Sequence, residues 1–143
     1  IFFPIVNWVW VNMPELGDPE WTPEWEAYVR DVYLKQPLDA QIADGEMTCE
    51  IDGQSIADIT SYRCQSPTFM VKVPENNLWD LIFNPWGLDL DAGAYGPSVD
   101  DGVYLMLAPL SKGVHTIHFV VSISDGEDGL AVVQDITYNL TVR

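Results

Sequence analysis

The side chains best placed for chemistry are carboxylates at the two ends of one glycine-rich stretch. Asp89 and Asp91 lead into Ala92-Gly93, and Asp100 and Asp101 lead into Gly102. Calcium takes several oxygen ligands and tolerates irregular loops, so these four aspartates are candidate ligands. The EF-hand spacing is missing, and a solvated turn is the plainer reading. Trp79, Trp86 and Tyr95 lie in or beside the same stretch and could form an aromatic platform for a sugar. Packing in a core or subunit interface is the competing role for these rings.

Other catalytic arrangements find little support. His115 and His118 stand three apart in a segment that reads as a strand, so they project to opposite faces and cannot share one metal ion. One is expected to pack and the other to face solvent. There is no GxSxG elbow for a serine nucleophile, no CxxC and no ligand set for zinc. Carboxylate pairs of the glycosidase kind are available in so acidic a chain, but nothing singles one out. A non-enzymatic role is expected, and nothing calls for a cofactor.

Cys49 and Cys64 flank a strand, an Asp52-Gly53 turn and a second strand. Placed on neighbouring strands they could meet, and a disulfide is the expected pairing in an oxidising compartment. Two buried free thiols are the alternative.

The elements that must position these groups begin with the most apolar segment of the chain. Residues 1–12, IFFPIVNWVWVN, read as a strand without a polar face. Alternation puts Ile1, Phe3, Ile5, Val9 and Val11 on one side and Phe2, Val6, Trp8 and Trp10 on the other. Such a strand is either central in its own sandwich or inserted into the open sheet of a neighbour, as in donor-strand complementation. Pro4 fits both if it sits at a bulge or an edge.

Residues 13–45 read as an acidic linker and a helical insertion. Thr22 is a cap, Pro23 suits the first helical position, and Trp25, Tyr28, Val29 and Val32 make an apolar stripe that Pro37 should end or interrupt. Leu38 to Ala43 add at most a short further turn. From 46 to 143 the period is two, with strands expected near 47–52, 58–64, 68–73, 78–83, 103–108, 114–123 and 131–142. A hairpin turn is expected at Asp125-Gly126-Glu127-Asp128-Gly129. In the last strand Ile136, Tyr138, Leu140 and Val142 face one way and Asp135, Thr137, Asn139 and Thr141 the other. The expected fold is mainly β, an immunoglobulin-like antiparallel β-sandwich with a short helical insertion after the N-terminal strand.

With 22 acidic side chains against six Lys and Arg, the formal charge is −16. That field repels nucleic acid and anionic membranes. No run is long enough for a membrane-spanning helix, so no membrane insertion is expected. There is no initiator Met and no charged leader with a small-residue cleavage site, so the beginning is expected to have been removed, processed or not resolved. Asn139-Leu140-Thr141 matches a glycosylation sequon, which makes glycans possible partners.

Phe2-Phe3-Pro4-Ile5, the run from Ser61 through Cys64 to Phe69, the long hairpin from Asp101 to Phe119, and Tyr138-Asn139-Leu140-Thr141-Val142 together resemble uncharacterised secreted bacterial proteins with an immunoglobulin-like fold. The resemblance covers most of the chain. It implies export and supplies no catalytic residue. The free apolar strand also resembles the donor strands of pilus subunits and of bacterial fibrils that polymerise by donor-strand exchange. Together these imply an extracellular structural subunit of a helical filament, a homo-oligomer joined through Ile1, Phe2, Phe3, Ile5, Val6, Trp8, Val9, Trp10 and Val11. The competing expectation is a monomeric secreted carbohydrate- or calcium-binding module.

Overall fold

The computed structural model describes residues 1–78, 90–123 and 132–143. Among them, eight strands make two antiparallel sheets. The first contains β1 (Phe2–Val11), β4 (Arg63–Gln65), β5 (Phe69–Val73) and β6 (Gly93–Met106). Its centre is β6, with β1 along one edge and β4 and β5 end to end along the other. The second sheet runs β3-β2-β7-β8, formed by β2 (Met47–Ile51), β3 (Gln54–Ser55), β7 (Gly113–Ile123) and β8 (Val132–Val142). Ile5, Val103 and Leu105 of the first sheet pack against Cys49, Ile117, Phe119 and Val121 of the second, an arrangement compatible with a β-sandwich. Each such buried side chain contributes about 1.5–3 kcal/mol of transfer free energy.

Local chemistry explains several elements directly. Asp52 and Gly53 both take positive φ, 52° and 76°, which a two-residue hairpin between twisted strands requires. The alternation of β8 holds as expected: Ile136 and Leu140 pack on the core, while Asp135, Thr137, Asn139 and Thr141 are exposed.

The helical region lies between β1 and β2 and differs in detail from the expectation. Thr22 caps α1 (Pro23–Tyr28), its hydroxyl accepting a hydrogen bond from the Trp25 N–H at 3.2 Å. From Val29 to Lys35 the chain widens into a π-helix, with the Gln36 N–H reaching the Asp31 carbonyl five residues back. It then continues as α2 (Gln36–Asp44), so Pro37 does not end the helix. In α geometry the Pro37 ring would crowd the carbonyl four residues earlier and leave it without a donor; the wider turns just before it remove that conflict. The buried positions follow the same change. Val29, Leu34 and Leu38 are buried, spaced five and then four, whereas Tyr28 of the expected stripe is 46% exposed.

Two strand expectations are corrected. Residues 59–62 of the expected 58–64 strand form a 3-10 turn, because Asp58 adopts a left-handed φ of 49° and the Ser61 N–H bonds back to its carbonyl. Residues 93–102, read as a glycine-rich loop, are the first part of β6. Gly96 and Pro97 are tolerated there because the register with β5 shifts between Phe69 and Val71 and leaves them outside the regular ladder. The expected strand at 78–83 lies, from residue 79 on, outside the described residues, as does the turn at 125–129.

Candidate functional site

β1 lies at the edge of its sheet and pairs, antiparallel, with β6 of its own chain. Phe3 stands opposite Leu105, Val6 opposite Val103, Trp8 opposite Asp101 and Trp10 opposite Val99. The register slips between Pro4 and Val6, so Pro4 occupies both an edge and a bulge. That extra residue corrects the expected faces: Phe3 and Ile5 share the inward side with Val6, Trp8 and Trp10, while Phe2, Asn7 and Val9 take the other. Ile5 is 2% exposed and Phe3 stacks on Phe119 at 6.0 Å. Trp10 lies on Tyr33 with ring centroids 4.5 Å apart, and meets Trp25 edge-on, fastening the strand to the helices. Outside, Phe2 stacks on Tyr104 at 5.4 Å. Even so, Ile1, Phe2, Trp8 and Val9 are 41–61% exposed.

The strand ends at a firm anchor. Asn12, 1% exposed, donates its backbone N–H to Pro97 and its side-chain amide to Pro19, and accepts from the Trp25 indole at 2.8 Å.

Beside β1, the two sheets leave an open seam. β8 is likewise an edge strand, and between it and β1 lie two hollows of about 390 and 140 Å³. Phe3 and Tyr138 line both, joined by Val6, Phe119, Ile136 and Gln134 in the larger and by Ile1 and Leu140 in the smaller. Gln41 of α2 closes one end, accepting a hydrogen bond from the Trp8 indole at 2.9 Å.

The calcium candidates do not converge. Asp100 and Asp101 are consecutive on β6 and point to opposite faces. Asp100 accepts hydrogen bonds from the Asn7 amide and the Tyr104 hydroxyl. Burial and that hydrogen bond together push the Tyr104 phenol upward. Asp101 is 1% exposed and faces Arg63, which donates to both its oxygens at 2.8 Å, and Gln65 donates at 3.0 Å. Burial alone would raise the Asp101 carboxyl, but the hydrogen bonds from Arg63 and Gln65 outweigh it and hold the group below the usual range. Arg63 reaches Asp39 as well, and Asp39 also holds Lys35 at 2.6 Å. The shallow cleft of about 330 Å³ over Lys35, Arg63, Cys64, Gln65 and Asp101 is thus lined by charges already matched. Asp91 is exposed, and Asp89, Trp79 and Trp86 lie outside the described residues; the Tyr95 hydroxyl donates to the Asp91 carbonyl at 2.8 Å. Among the described residues, no group of three or more His, Cys, Asp or Glu is placed to hold a metal.

The cysteines are free, which corrects the expected disulfide. Cys49 faces the core from the second sheet. Cys64 is in the first sheet, opposite Gly102 and on the side away from Val103. The intervening turn leads out of one sheet and into the other, so the thiols never meet. Burial raises the Cys49 thiol. A thiol reagent is expected to label Cys64 in the native protein within minutes and Cys49 only once denaturant is added, as mass spectrometry of timed aliquots would show; equal labelling would contradict the fold.

His115 and His118 do project apart. His118 is half-buried and 2.8 Å from Asp135. His115 is nearly buried, with Nδ1 2.8 Å from Asp52 and Nε2 2.9 Å from the Ser111 carbonyl. Asp52, His115 and Ser111 resemble a nucleophile triad in composition. Yet Nε2 faces a carbonyl oxygen and the hydroxyl is 3.5 Å away, so the ring is a clasp with an acceptor at each nitrogen. The Asp52 hydrogen bond, then the Ser111 carbonyl, raise its pKa. A raised folded-state pKa gives stability that is full below the unfolded value near 6.5 and lost as pH rises through the folded value. The wild type is therefore expected to lose thermal stability relative to His115→Gln on going from pH 6 to pH 9. Parallel melting curves for the two proteins over that range would contradict the clasp.

Sequence reasoning missed the Arg63–Asp101 pair and the seam. The pair had a signal: with only six Lys and Arg in the chain, a cation inside a β segment is a candidate partner for a buried acid. The seam had none, because it depends on the widths of two sheets.

Fold and site together define a mainly β protein of two antiparallel sheets, with an apolar N-terminal edge strand beside an open apolar seam. No protein-family model, no curated protein and no solved structure matches the chain. Among the described residues, no helix is long and apolar enough to cross a membrane.

Proposed function

We propose that this chain is the structural subunit of an extracellular bacterial filament, pilus-like and immunoglobulin-like in topology, assembled by donor-strand exchange of residues 1–12. The observation that carries the reading is the character of β1. It is a ten-residue edge strand with no charged side chain, held by one neighbour, and still exposing Phe2, Trp8 and Val9. Main-chain pairing with β6 and the burial of Ile5 and Phe3 can be reproduced on the β6 of a second copy, so exchange alters connectivity more than contacts. A head-to-tail contact that does not close on itself propagates as an open fibre.

The anchor at Asn12 sets the pivot of that exchange. Residues 13–22, with Pro14, Gly17 at φ 103° and Pro19, must change path for β1 to leave. Exchange is then slow, and each junction is long-lived once made.

The test is electron microscopy of the intact chain and of a chain lacking residues 1–12. Fibres from the first and none from the second support strand exchange; single particles from the intact chain at every concentration sink it.

A further inference from the structure

The second sheet ends at β8, which among the described residues pairs only with β7, all 11 residues from Val132 to Val142 in unbroken register. One row of its peptide N–H and C=O groups is therefore open to another strand. We propose that β8 is a self-complementary edge, through which two copies of the chain join antiparallel about a two-fold axis and their second sheets become one. The contact is independent of strand exchange: β1 and β6 take no part in it, and each copy offers one β8 and meets one.

Of the sheet edges, β8 is the one without the devices that keep edges apart. β1 is bulged at Pro4, which has no N–H to give. β3 has two residues, and the line of β4 and β5 is interrupted by Pro67 and carries Arg63 and Lys72. β8 has no Pro, no Lys and no bulge, and its only charged side chain is Asp135. Two copies at −16 each repel over most approaches, so a nearly neutral edge is where they can close.

The side chains match in the register that pairs the whole strand, with Thr137 on the axis. On the outer face Thr137 then meets Thr137 of the second copy, a favourable cross-strand pair, and Asp135 meets Asn139. Asp135 is 2.8 Å from His118 through one carboxylate oxygen, and the other oxygen accepts the Asn139 amide of the second copy. No like charges stand directly opposite. On the inner face Ile136 meets Tyr138 and Gln134 meets Leu140, each pair occurring twice by symmetry. Ile136 and Leu140 are half-buried and Tyr138 is 45% exposed, so the contact covers apolar surface that the narrower first sheet leaves open.

Disulfide formation between full-length chains, with diamide as oxidant, tests both the contact and its register. In a Cys64→Ser background, which removes the exposed native thiol, Thr137→Cys, Asn139→Cys and Val114→Cys are compared, all at exposed positions where the fold tolerates the change. Residues directly opposite in an antiparallel pair have Cα atoms about 4.5–5.5 Å apart, within reach of a disulfide. Thr137→Cys is therefore expected to give covalent dimer on a non-reducing denaturing gel about tenfold faster than Val114→Cys, one strand in from the edge. Asn139→Cys lies about 13 Å along the strand from its counterpart and should stay near the Val114→Cys rate. Adding Asn139→Asp to Thr137→Cys sets carboxylates face to face and should slow the reaction. A Thr137→Cys rate no higher than that of Val114→Cys overturns the proposal, and a maximum at Asn139→Cys overturns its register. The gel counts linked pairs whether or not fibres form, so linkage at Thr137→Cys in a chain that never forms fibres supports the β8 contact and sinks only strand exchange.

Discussion

Arg63→Met is expected to destabilise the protein by about 3–5 kcal/mol, because it leaves a buried carboxylate without its cation. Asp101 is 1% exposed and receives two hydrogen bonds from Arg63, with Gln65 as its remaining side-chain donor. The loss is not the intrinsic worth of an ion pair, since exposed pairs contribute about 0–1 kcal/mol. It is the cost of desolvating Asp101 with nothing to offset it. The double variant Arg63→Met, Asp101→Leu should therefore recover much of the loss, since apolar replacement of a whole buried pair is often neutral or better. Urea denaturation of the two variants checks this, and an Arg63→Met midpoint close to wild type would show that solvent reaches Asp101.

The pH dependence has a definite sign. The Asp101 carboxyl is held below its ordinary value in the fold, so its contribution is fully present above the unfolded pKa near 3.9 and is lost as pH falls through the folded one. Asp39, held down first by Lys35 and then by Arg63, titrates in the same direction. Acid unfolding of the wild type is expected below about pH 4. The double variant lacks this step at the Arg63–Asp101 pair and should show a shallower acid limb.

How far the sequence reveals this structure depends on whether the deciding contacts are local. Thr22 followed by Pro23, Asp52-Gly53 between alternating residues, and the alternation of 132–142 act within a few positions, and each produced the element expected. The residues that misled are those whose meaning depends on distant partners. Gly93, Gly96 and Gly102 read as loop because isolated glycines usually weaken strands, yet here Gly102 is required by its partner Asn7 in β1, at the far end of the sequence. Pro37 is a helix breaker only while its helix keeps α spacing, and the Val29, Leu34, Leu38 interval that signals π geometry was masked by the competing Tyr28 and Val32. Cys49 and Cys64 lie close in sequence across a turn, but the chain crosses between sheets at Asp58. The candidate site follows the same division. That residues 1–12 are a strand is local; that it stands at an edge, bulged at Pro4 and beside an uncovered β8, is tertiary.

Gly102→Ala is expected to cost about 1–3 kcal/mol through overpacking alone, and to do so by parting β1 from β6. A Cβ at Gly102 would stand 2.5 Å from the Asn7 Cβ, 2.6 Å from the Val6 carbonyl oxygen and 2.9 Å from the Asn7 Cα. None of these is the tip of a flexible side chain, so the backbone itself must move. An exposed Gly→Ala change with compatible φ would instead gain about 0.4–1 kcal/mol by restricting the unfolded chain, so the sign of the effect reports the close approach. Asn7→Gly, added to Gly102→Ala, removes one of the contacts and leaves the Val6 carbonyl, and should restore only part of the loss. Hydrogen exchange locates the damage: amides of β1 should lose protection while those paired between β7 and β8 keep theirs. Unchanged protection in β1 would mean that the Asn7–Gly102 register is wrong. If strand exchange operates, the same Gly102 receives Asn7 of the donor copy, so the substitution cannot favour the polymer by loosening the monomer. Fibre yield should fall together with monomer stability, whereas a chain whose β1 pairs differently in the filament would assemble more readily once β1 is freed.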